Sequence, residues 1–186
     1  RTQRYLKEDA PLMGAALDHN QRALVELDML CTTFFWQHPE VETVVLRPVH
    51  ILGPVRNAAS NYLRLPRVPK LMGFDPMIQG IHVDDIVAAL IKALTPGARG
   101  VYNVTGPDPV PLSAILDRLN KPILPVPHPL FKFTVKQMFK AHLWSFPPAE
   151  LEHLMYGCMI DGSRIREELG LKPTRSMTDI VELFRS

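Results

Sequence analysis

Apolar residues recur at helical spacing between residues 18 and 36, and this pattern predicts an amphipathic helix from Asp18 to Trp36. His38-Pro39 ends the helix, because proline lacks an amide hydrogen and holds the residue before it extended. The apolar stripe of this helix consists of Leu24, Leu27, Leu30 and Phe34, widened by Ala23, Cys31 and Phe35. Upstream, residues 1–16 are predicted to form a surface loop.

A run of β-branched and aliphatic residues, Val44-Val45-Leu46, follows this helix. The run is too short for a free-standing helix, so it predicts a strand that is buried on both faces. Arg47-Pro48 breaks the strand, since proline supplies no amide hydrogen to a sheet ladder. In an open α/β sheet, ligands bind beyond the carboxyl ends of the strands. We therefore expect a ligand site beyond Pro48.

Residues 55–77 carry the repeated prolines Pro66, Pro69 and Pro76 after a short helix predicted from Asn57 to Leu65. Proline excludes a central strand and a long helix, so this segment is interpreted as an excursion from the main sheet.

Beyond this excursion, strand and helix patterns alternate. Residues 77–83 alternate like a strand, and Asp84 to Leu94 is predicted to be a helix that an Asp caps and that Pro96-Gly97 ends. Val101 to Gly106 is predicted to be another short strand. The strand-helix-strand order favours a parallel sheet.

The remaining sequence predicts mainly helices. Asp179 stands three residues after Ser176, the spacing of a capping box at the start of the last helix. The other predicted elements are a helix from Leu112 to Leu119 capped by Ser113, a strand from Pro122 to Val126, helices near Leu130 to Leu143 and Pro148 to Tyr156, and a helix that Asp161-Gly162-Ser163 opens and Gly170 closes.

Composition and charge restrict the classes of binding partner that we expect. The chain has 186 residues and a formal net charge of +2, with Lys and Arg scattered, so we predict no nucleic-acid and no membrane partner. No apolar run approaches the roughly 20 residues of a membrane span, and no signal peptide is recognised. Cys31 and Cys158 show no metal-ligand spacing, which predicts buried reduced thiols, no metal and a cytoplasmic location. The chain opens on Arg1 in loop-like sequence, which suggests part of a longer protein.

Taken together, these segments resemble the C-terminal half of an extended short-chain dehydrogenase/reductase, the NAD-dependent epimerase/dehydratase family. The matches occur in the family's order over nearly the whole chain. They are the acidic loop Glu8-Asp9-Ala10-Pro11-Leu12, a helix in the active-site-helix position, Leu46-Arg47-Pro48 with Gly53-Pro54, Ile81-His82-Val83-Asp84-Asp85-Ile86, Tyr102-Asn103-Val104-Thr105-Gly106 and Leu169-Gly170-Leu171-Lys172-Pro173.

The resemblance implies an α/β fold, the C-terminal portion of a doubly wound, Rossmann-like parallel sheet with a smaller, mainly helical substrate-side region. Residues 1–54 and 78–106 would belong to the dinucleotide-binding sheet, and residues 55–77 and 107–186 to the substrate-side region. No glycine-rich dinucleotide fingerprint occurs. The cofactor, NAD or NADP, would therefore be bound mostly by an N-terminal half outside this sequence, about one domain in size.

Family members use a Tyr as acid/base with a Lys four residues later, where i and i+4 side chains adjoin on a helix. No tyrosine here has that partner. Alignment with the family places Asp18 at the tyrosine position and Arg22 at the lysine position. Arg22 retains donors for a ribose, but Asp18 is ordinarily ionised at pH 7 and cannot donate the proton that a reductase needs. Impaired hydride chemistry is expected, and Asp18 is alternatively a helix cap.

The resemblance also implies that the backbone of Pro48, Val49, His50 and Ile51 lies against the nicotinamide. His50 and Asn57 are the candidate substrate residues, with a packed, supporting role as the alternative for His50. Sugar-nucleotide members commonly have Asn where this chain has His50, and an Arg near Ile78, so a diphosphate clamp is not evident. His82 is interpreted as structural.

Two functions are consistent with this pattern. The first is an NAD(P)-dependent epimerase, dehydratase or reductase that acts on a sugar nucleotide or another small hydroxyl or carbonyl substrate. The second is a non-catalytic relative that serves as a dinucleotide-binding or scaffold module. Family members commonly pair through the helix that corresponds to Asp18 to Trp36, so a homodimer is expected.

Overall fold

The structure is a computed structural model, and it describes residues 5–11, 19–55, 58–127 and 159–184. Helices and strands alternate along most of these residues, as the sequence pattern predicts. The helices are α1 (His19–Gln37), α2 (Ala58–Arg64), α3 (Val83–Ala93), α4 (Leu112–Arg118), α5 (Ser163–Glu168) and α6 (Met177–Glu182). The strands are β1 (Val44–Pro48), β2 (His50–Leu52), β3 (Val68–Leu71), β4 (Met77–Ile78), β5 (Gly80–His82), β6 (Gly100–Val104), β7 (Val110–Pro111) and β8 (Ile123–Val126).

The strands pair mostly in parallel, which confirms the predicted α/β class with parallel pairing. β1 pairs with β6, β2 with β5 and β3 with β8, all parallel, and β4 pairs antiparallel with β7. The order β5, α3, β6 is the predicted strand-helix-strand unit. A helical crossover of this kind lets two strands point the same way.

Two groups of buried apolar side chains form the described core. The first lies among α2, β3, α4 and α6 and includes Leu52, Val68, Leu116 and Ile180, each essentially inaccessible to solvent. The second lies between the β1–β6 pair and the helices α3 and α5, and it includes Ile81, Ala89, Tyr102, Val104 and Ile165.

Strand β1 separates two differently built faces. Val44 and Leu46 pack against the second core, with α3. Successive strand residues point to opposite faces, and Arg47 accordingly points the other way, towards Asp28 of α1. The sheet therefore carries α3 on an apolar face and α1 on a face with a half-buried ion pair.

The first predicted strand is confirmed in position, but its predicted burial and break are wrong. Val44 to Arg47 are half-buried rather than buried on both faces, because within the described residues β1 has one neighbouring strand. Pro48 belongs to β1, at its carboxyl end, where a missing amide hydrogen costs no central ladder bond. The interruption falls at Val49 instead.

The strand predicted over residues 77–83 is two strands. β4 and β5 pair with different partners, and Gln79 between them turns its side chain to the backbone of Ile160, donating from Nε2 to the carbonyl (2.9 Å) and accepting from the amide at Oε1 (2.9 Å). The proline argument for the excursion is also too strict, because Pro69 lies within β3, an edge strand of a two-stranded sheet.

The predicted caps have mixed outcomes. Ser176 and Asp179 form the predicted capping box of α6. Ser113 does not cap α4, because the helix begins one residue earlier and Ser113 instead bonds Asp75 through its amide (2.9 Å) and hydroxyl (2.5 Å). The cap of α3 is His82 rather than an Asp: its Nδ1 accepts from the amide of Asp84 at 3.1 Å.

Helix α1 is confirmed within one residue at each end, yet its apolar stripe faces outward. Leu24, Leu27, Leu30 and Phe34 are 41–67% exposed, whereas Asp28 and Phe35, on the adjoining face, are half-buried. Cys31 is a half-buried free thiol rather than a fully buried one. The predictions for Asp18, Asn57, Cys158 and the helical stretches at 130–143 and 148–156 lie outside the described residues.

Candidate functional site

Residue Val49 marks the point where one long strand changes its neighbour. Its amide donates to the carbonyl of Val104 at the end of β6 (3.0 Å), and the next residue, His50, is in register with Gly80 of β5. The chain from Val44 to Leu52 is thus a single bent strand, shared between β6 and β5. The carboxyl end of β6 opens at this bend, which is the edge where ligands of open α/β sheets bind.

The four residues predicted to line a cofactor occupy this bend. Val49 is buried and Ile51 packs partly against the second core. At the exposed surface of the bend, both residues therefore present their backbone rather than their side chains. Pro48 and His50 are exposed, one on each side of the turn. His50 is the one exposed polar side chain of the segment Pro48 to Ile51.

Two glycines bring the neighbouring backbones together at the same edge. A Cβ on Gly106, just after β6, would overlap the carbonyl oxygen of Gly80 and come within 2.9 Å of the Cα of Ile81. The contact is therefore backbone against backbone, and only glycine fits it. This packing fixes where the chain leaves β6 relative to the bend.

Beneath the bend, Arg47 forms a three-bond contact with two other segments. Its Nε and Nη2 donate to the two carboxylate oxygens of Asp28 on α1, both at 2.7 Å, and its Nη1 donates to the carbonyl of Glu8 at 2.8 Å. The side chains of Arg47 and Asp28 are 20% and 15% exposed. A two-point guanidinium–carboxylate contact of this kind is among the strongest and most directional hydrogen-bonded pairs.

The loop of residues 5–11 is held to β6 by the side chain of Glu8 as well. Glu8 Oε1 accepts from the amide of Asn103 (2.9 Å), and Asn103 Nδ2 donates to the carbonyl of Leu6 (3.3 Å). Leu6 also bridges to Ile160 in parallel. The acidic loop predicted from the resemblance is therefore a tightly bound part of the sheet edge.

On the other face, the start of α3 carries two acidic residues with separate tasks. Asp85 is 1% exposed, and its Oδ1 accepts from the amide (3.0 Å) and the hydroxyl (2.7 Å) of Thr174. Asp84 is exposed and lies 3.3 Å from the Nδ1 of His82 and 3.6 Å from Arg175. These contacts join α3 to the chain before α6, and they support the structural interpretation of His82.

Helix α5 covers Tyr102 with a charged pair. The guanidinium of Arg164 lies 4.9 Å from the ring centre of Tyr102, and the Tyr102 hydroxyl donates to Glu168 at 2.8 Å. Hydrogen bonds from Arg164 and then from Tyr102 hold the pKa of Glu168 below its ordinary value. Burial, and then the adjacent carboxylate, raises the pKa of Tyr102. Tyr102 is thus a neutral donor in a structural contact.

An open groove of about 350 Å³ lies beside the turn after β3. It contains one ion pair, Lys70 to Asp75 at 2.9 Å, and the other bonds of Asp75 go to Ser113. The groove therefore offers an apolar surface with its charges already paired. It is lined by Lys70, Leu71, Met72, Gly73, Phe74, Asp75, Ile123 and Pro125.

Among the predicted catalytic positions, Arg22 is described and Asp18 is not. Arg22 lies on the first turns of α1 with an exposed side chain, six positions before Asp28 on the same helix (28 − 22 = 6). Asn57, predicted to contact substrate, lies outside the described residues. Sequence reasoning missed the pairing of Arg47 with Asp28. No local sequence pattern signalled this pairing, because Arg47 lies 19 positions after Asp28.

Within the described ranges, no three His, Cys, Asp or Glu side chains are grouped as metal ligands. The helices of that same part include none long and apolar enough to cross a membrane.

No protein-family model matches the chain. Its curated relatives include Uncharacterized protein Rv0501 of Mycobacterium tuberculosis and Uncharacterized protein Mb0513 of Mycobacterium bovis, each 30% identical over 140 residues. That match covers 74% of this chain but 37% of each relative. The chain thus spans little more than a third of the length of the curated relatives it matches.

Several solved structures are similar over a larger share of the chain. A dTDP-glucose 4,6-dehydratase from Bacillus anthracis in complex with NAD matches with a TM-score of 0.68 at 16% identity, covering 100% of this chain and 56% of that one. A UDP-glucuronic acid 4-epimerase from Bacillus cereus in complex with NAD matches with a TM-score of 0.63 at 16% identity, covering 98% and 55%. RMD from Pseudomonas aeruginosa with NADPH matches with a TM-score of 0.60 at 15% identity, covering 89% and 54%.

Identities this low establish the fold and nothing finer. The chain has the Rossmann-like α/β fold of these epimerases and dehydratases, and it spans a little over half of their length.

Proposed function

We propose that this chain is part of an NAD(P)-dependent protein of the epimerase, dehydratase or reductase type that acts on a small hydroxyl or carbonyl compound. The observation that carries the proposal is the bend at Val49, where a strand passes from β6 to β5 and leaves backbone at the carboxyl edge of a parallel sheet. Similar folds that hold NAD or NADPH support the choice of ligand.

The cofactor and the substrate would be bound by different parts of this chain. Residues 1–54 and 78–106 would complete the dinucleotide-binding sheet, and residues 55–77 and 107–186 would face the substrate. This chain contains no glycine-rich turn for a pyrophosphate. A segment elsewhere in the whole protein would therefore bind most of the cofactor.

The residues of this chain suit the nicotinamide end of NAD or NADP. Arg22 presents an exposed guanidinium, a permanent cation with several donors for ribose hydroxyls. The exposed Pro48 and His50 and the backbone of Val49 and Ile51 form a wall at the bend. When bound, the cofactor supplies hydride acceptance and donation, and these residues orient it.

Turnover would be impaired relative to a protein with a Tyr and Lys pair. Asp18 stands at the tyrosine position and is ordinarily ionised at neutral pH, so it accepts a proton far more readily than it donates one. Arg22 at the lysine position holds a fixed positive charge and cannot exchange its proton.

The residues proposed to lie near the substrate suit a substrate without a diphosphate group. Ile78, near the place of the family's arginine, is 5% exposed within the first core and offers no cation. The Lys70 ammonium is paired with Asp75. His50 and Asn57 are the polar residues of this chain proposed to contact substrate, and both suit a hydroxyl or carbonyl group better than a phosphate.

We further propose a cytoplasmic homodimer that binds neither nucleic acid nor membrane. The outward stripe of α1, formed by Leu24, Leu27, Leu30 and Phe34, is an apolar helix face of the kind that pairs helices across an interface. A monomeric solution mass would contradict the dimer.

The second candidate function is a non-catalytic dinucleotide-binding or scaffold module of the same fold. The absence of any Tyr with a Lys four residues later favours it.

Titration of the full-length protein with NADH and NADPH tests the proposal. Binding is expected, and Arg22→Ala should raise the dissociation constant about tenfold through loss of a charge-assisted hydrogen bond. Arg67→Ala, another exposed arginine, is the matched control and should leave it unchanged. Binding with hydride transfer to a panel of carbonyl compounds favours the enzyme, and binding without transfer favours the scaffold. No binding by the wild-type protein refutes both.

A further inference from the structure

Arg47 contacts both ends of one chain interval. The carbonyl of Glu8 and the carboxylate of Asp28 are 20 positions apart (28 − 8 = 20), and the same guanidinium binds both, at 2.8 Å and at 2.7 Å. Arg22 lies inside that interval. A single side chain of β1 therefore contacts residues on both sides, in sequence, of the proposed cofactor arginine.

The contact is built for position. Asp28 receives two parallel N–H bonds, which fix the angle of the carboxylate as well as its distance. Asp28 is on α1, so this angle also fixes how the helix is rotated against the sheet. The hydroxyl of Thr32, one turn later, donates to Oδ1 of Asp28 at 3.5 Å.

The loop end of the interval is held just as firmly. Glu8 offers its carbonyl to Arg47 and its carboxylate to the amide of Asn103, so the loop bridges β1 and β6. Asn103 and Arg47 are partners in the β1–β6 register. The loop, the helix and the two strands therefore meet at one level, one residue before Pro48.

We propose that Arg47 is a positioning residue: by binding Glu8 and Asp28 together it fixes α1, and with it Arg22, against the strand that leads into the bend at Pro48 to Ile51. This inference rests on the proposed function. We assign Arg47 no direct contact with cofactor or substrate, because its Nε, Nη1 and Nη2 already donate to Asp28 and Glu8 on the α1 face of the strand.

The test compares Arg47→Met, Arg47→Lys and Asp28→Asn in the full-length protein. Lysine keeps the charge but cannot reach three acceptors with the rigid fork of arginine. Arg118→Lys is the matched control, since Arg118 forms an exposed ion pair of 2.6 Å with Glu182, away from α1. Asp28→Asn and Arg47→Lys are conservative substitutions, so these two variants can still be measured if Arg47→Met does not fold.

Two readouts separate positioning from general stability. Amide hydrogen exchange should accelerate about tenfold in residues 19–27 and 5–11 of the Arg47 and Asp28 variants, with α3 unchanged. The dissociation constant for NADH should rise about tenfold in the same variants while the control stays at the wild-type value. A variant that combines Arg47→Lys with Asp28→Asn should be little worse than either single variant, because the two residues act as one contact.

Unchanged exchange in α1, or equal acceleration in α1 and α3, overturns the positioning role. Faster exchange in α1 with an unchanged NADH affinity also overturns it, because the helix would then move without effect on the ligand. If the wild-type protein binds neither NADH nor NADPH, the proposed function fails by itself, and hydrogen exchange alone decides whether Arg47 holds the segment.

Discussion

Gly106→Ala is expected to destabilise the protein strongly, because the new methyl group has no space. Its Cβ would overlap the carbonyl oxygen of Gly80 and lie 2.9 Å from the Cα of Ile81, and these are backbone atoms of β5. A side chain in the way can rotate, but β5 is held in register by β2. The strand must therefore shift as a unit.

The expected cost lies at the upper end of the range for overpacked cores, about 3 kcal/mol. For a domain of this size, each kcal/mol lowers the melting temperature by about 2–4 °C, which predicts a fall of about 6–12 °C. Thermal unfolding followed by circular dichroism and urea unfolding measure this change. An unaltered urea m-value would show that the native and unfolded states expose the same surface as in the wild type.

Gly97→Ala is the matched control. Gly97 has a φ of +84° and no atom within 4 Å of an added Cβ, so alanine there meets backbone strain without overlap. That strain costs about 1–2 kcal/mol. A Gly106 variant that melts within about 2 °C of the wild type, or higher than the Gly97 variant, would refute the close approach of β5 and β6.

Two further substitutions test contacts around the second core. Thr174→Val removes a 2.7 Å hydroxyl donation to the buried Asp85 and should lower the free energy of unfolding, measured by urea titration, by about 1–2 kcal/mol. The control Thr33→Val loses an exposed hydroxyl bond within a helix and should change the free energy of unfolding by less than about 0.5 kcal/mol. Equal effects of the two substitutions would contradict the burial of Asp85. Tyr102→Phe should raise the pKa of Glu168 towards its ordinary value of 4.5, as followed by NMR titration. Because the folded-state pKa of Glu168 is lowered, its stabilising contribution is present above pH 4.5 and is lost as the pH falls through the lowered pKa. The difference in unfolding free energy between the wild type and the variant should therefore narrow at low pH. A difference that widens at low pH would contradict the lowered pKa of Glu168.

Local chemistry was sufficient to predict many elements of this fold. The 3.6-residue period predicted α1 within one residue, and the spacing of Ser176 and Asp179 predicted their capping box, because each depends on neighbours within one or two helical turns. The strand-helix-strand order also predicted the parallel pairing of the β-strands.

The roles of the candidate-site residues stay predictions. The proline after the β-branched run predicted a strand break at Arg47-Pro48, and the resemblance implied a cofactor wall at Pro48 to Ile51. The structure places the interruption at Val49, where the strand changes its neighbour from β6 to β5. The cap of α3 and the contacts of Ser113 were mispredicted for a related reason. The side chain that completes each contact is chosen by three-dimensional proximity, and several polar residues near a helix start satisfy the same local rule.

What the sequence by itself determined is the set of elements and their class, since periodicity, proline and capping residues act over short chain distances. Only the tertiary structure decided which side of α1 faces the sheet, and it placed the half-buried Asp28 there in place of the leucine stripe. The physical reason is that Arg47, 19 positions away, offers that carboxylate two hydrogen bonds that no local pattern announces.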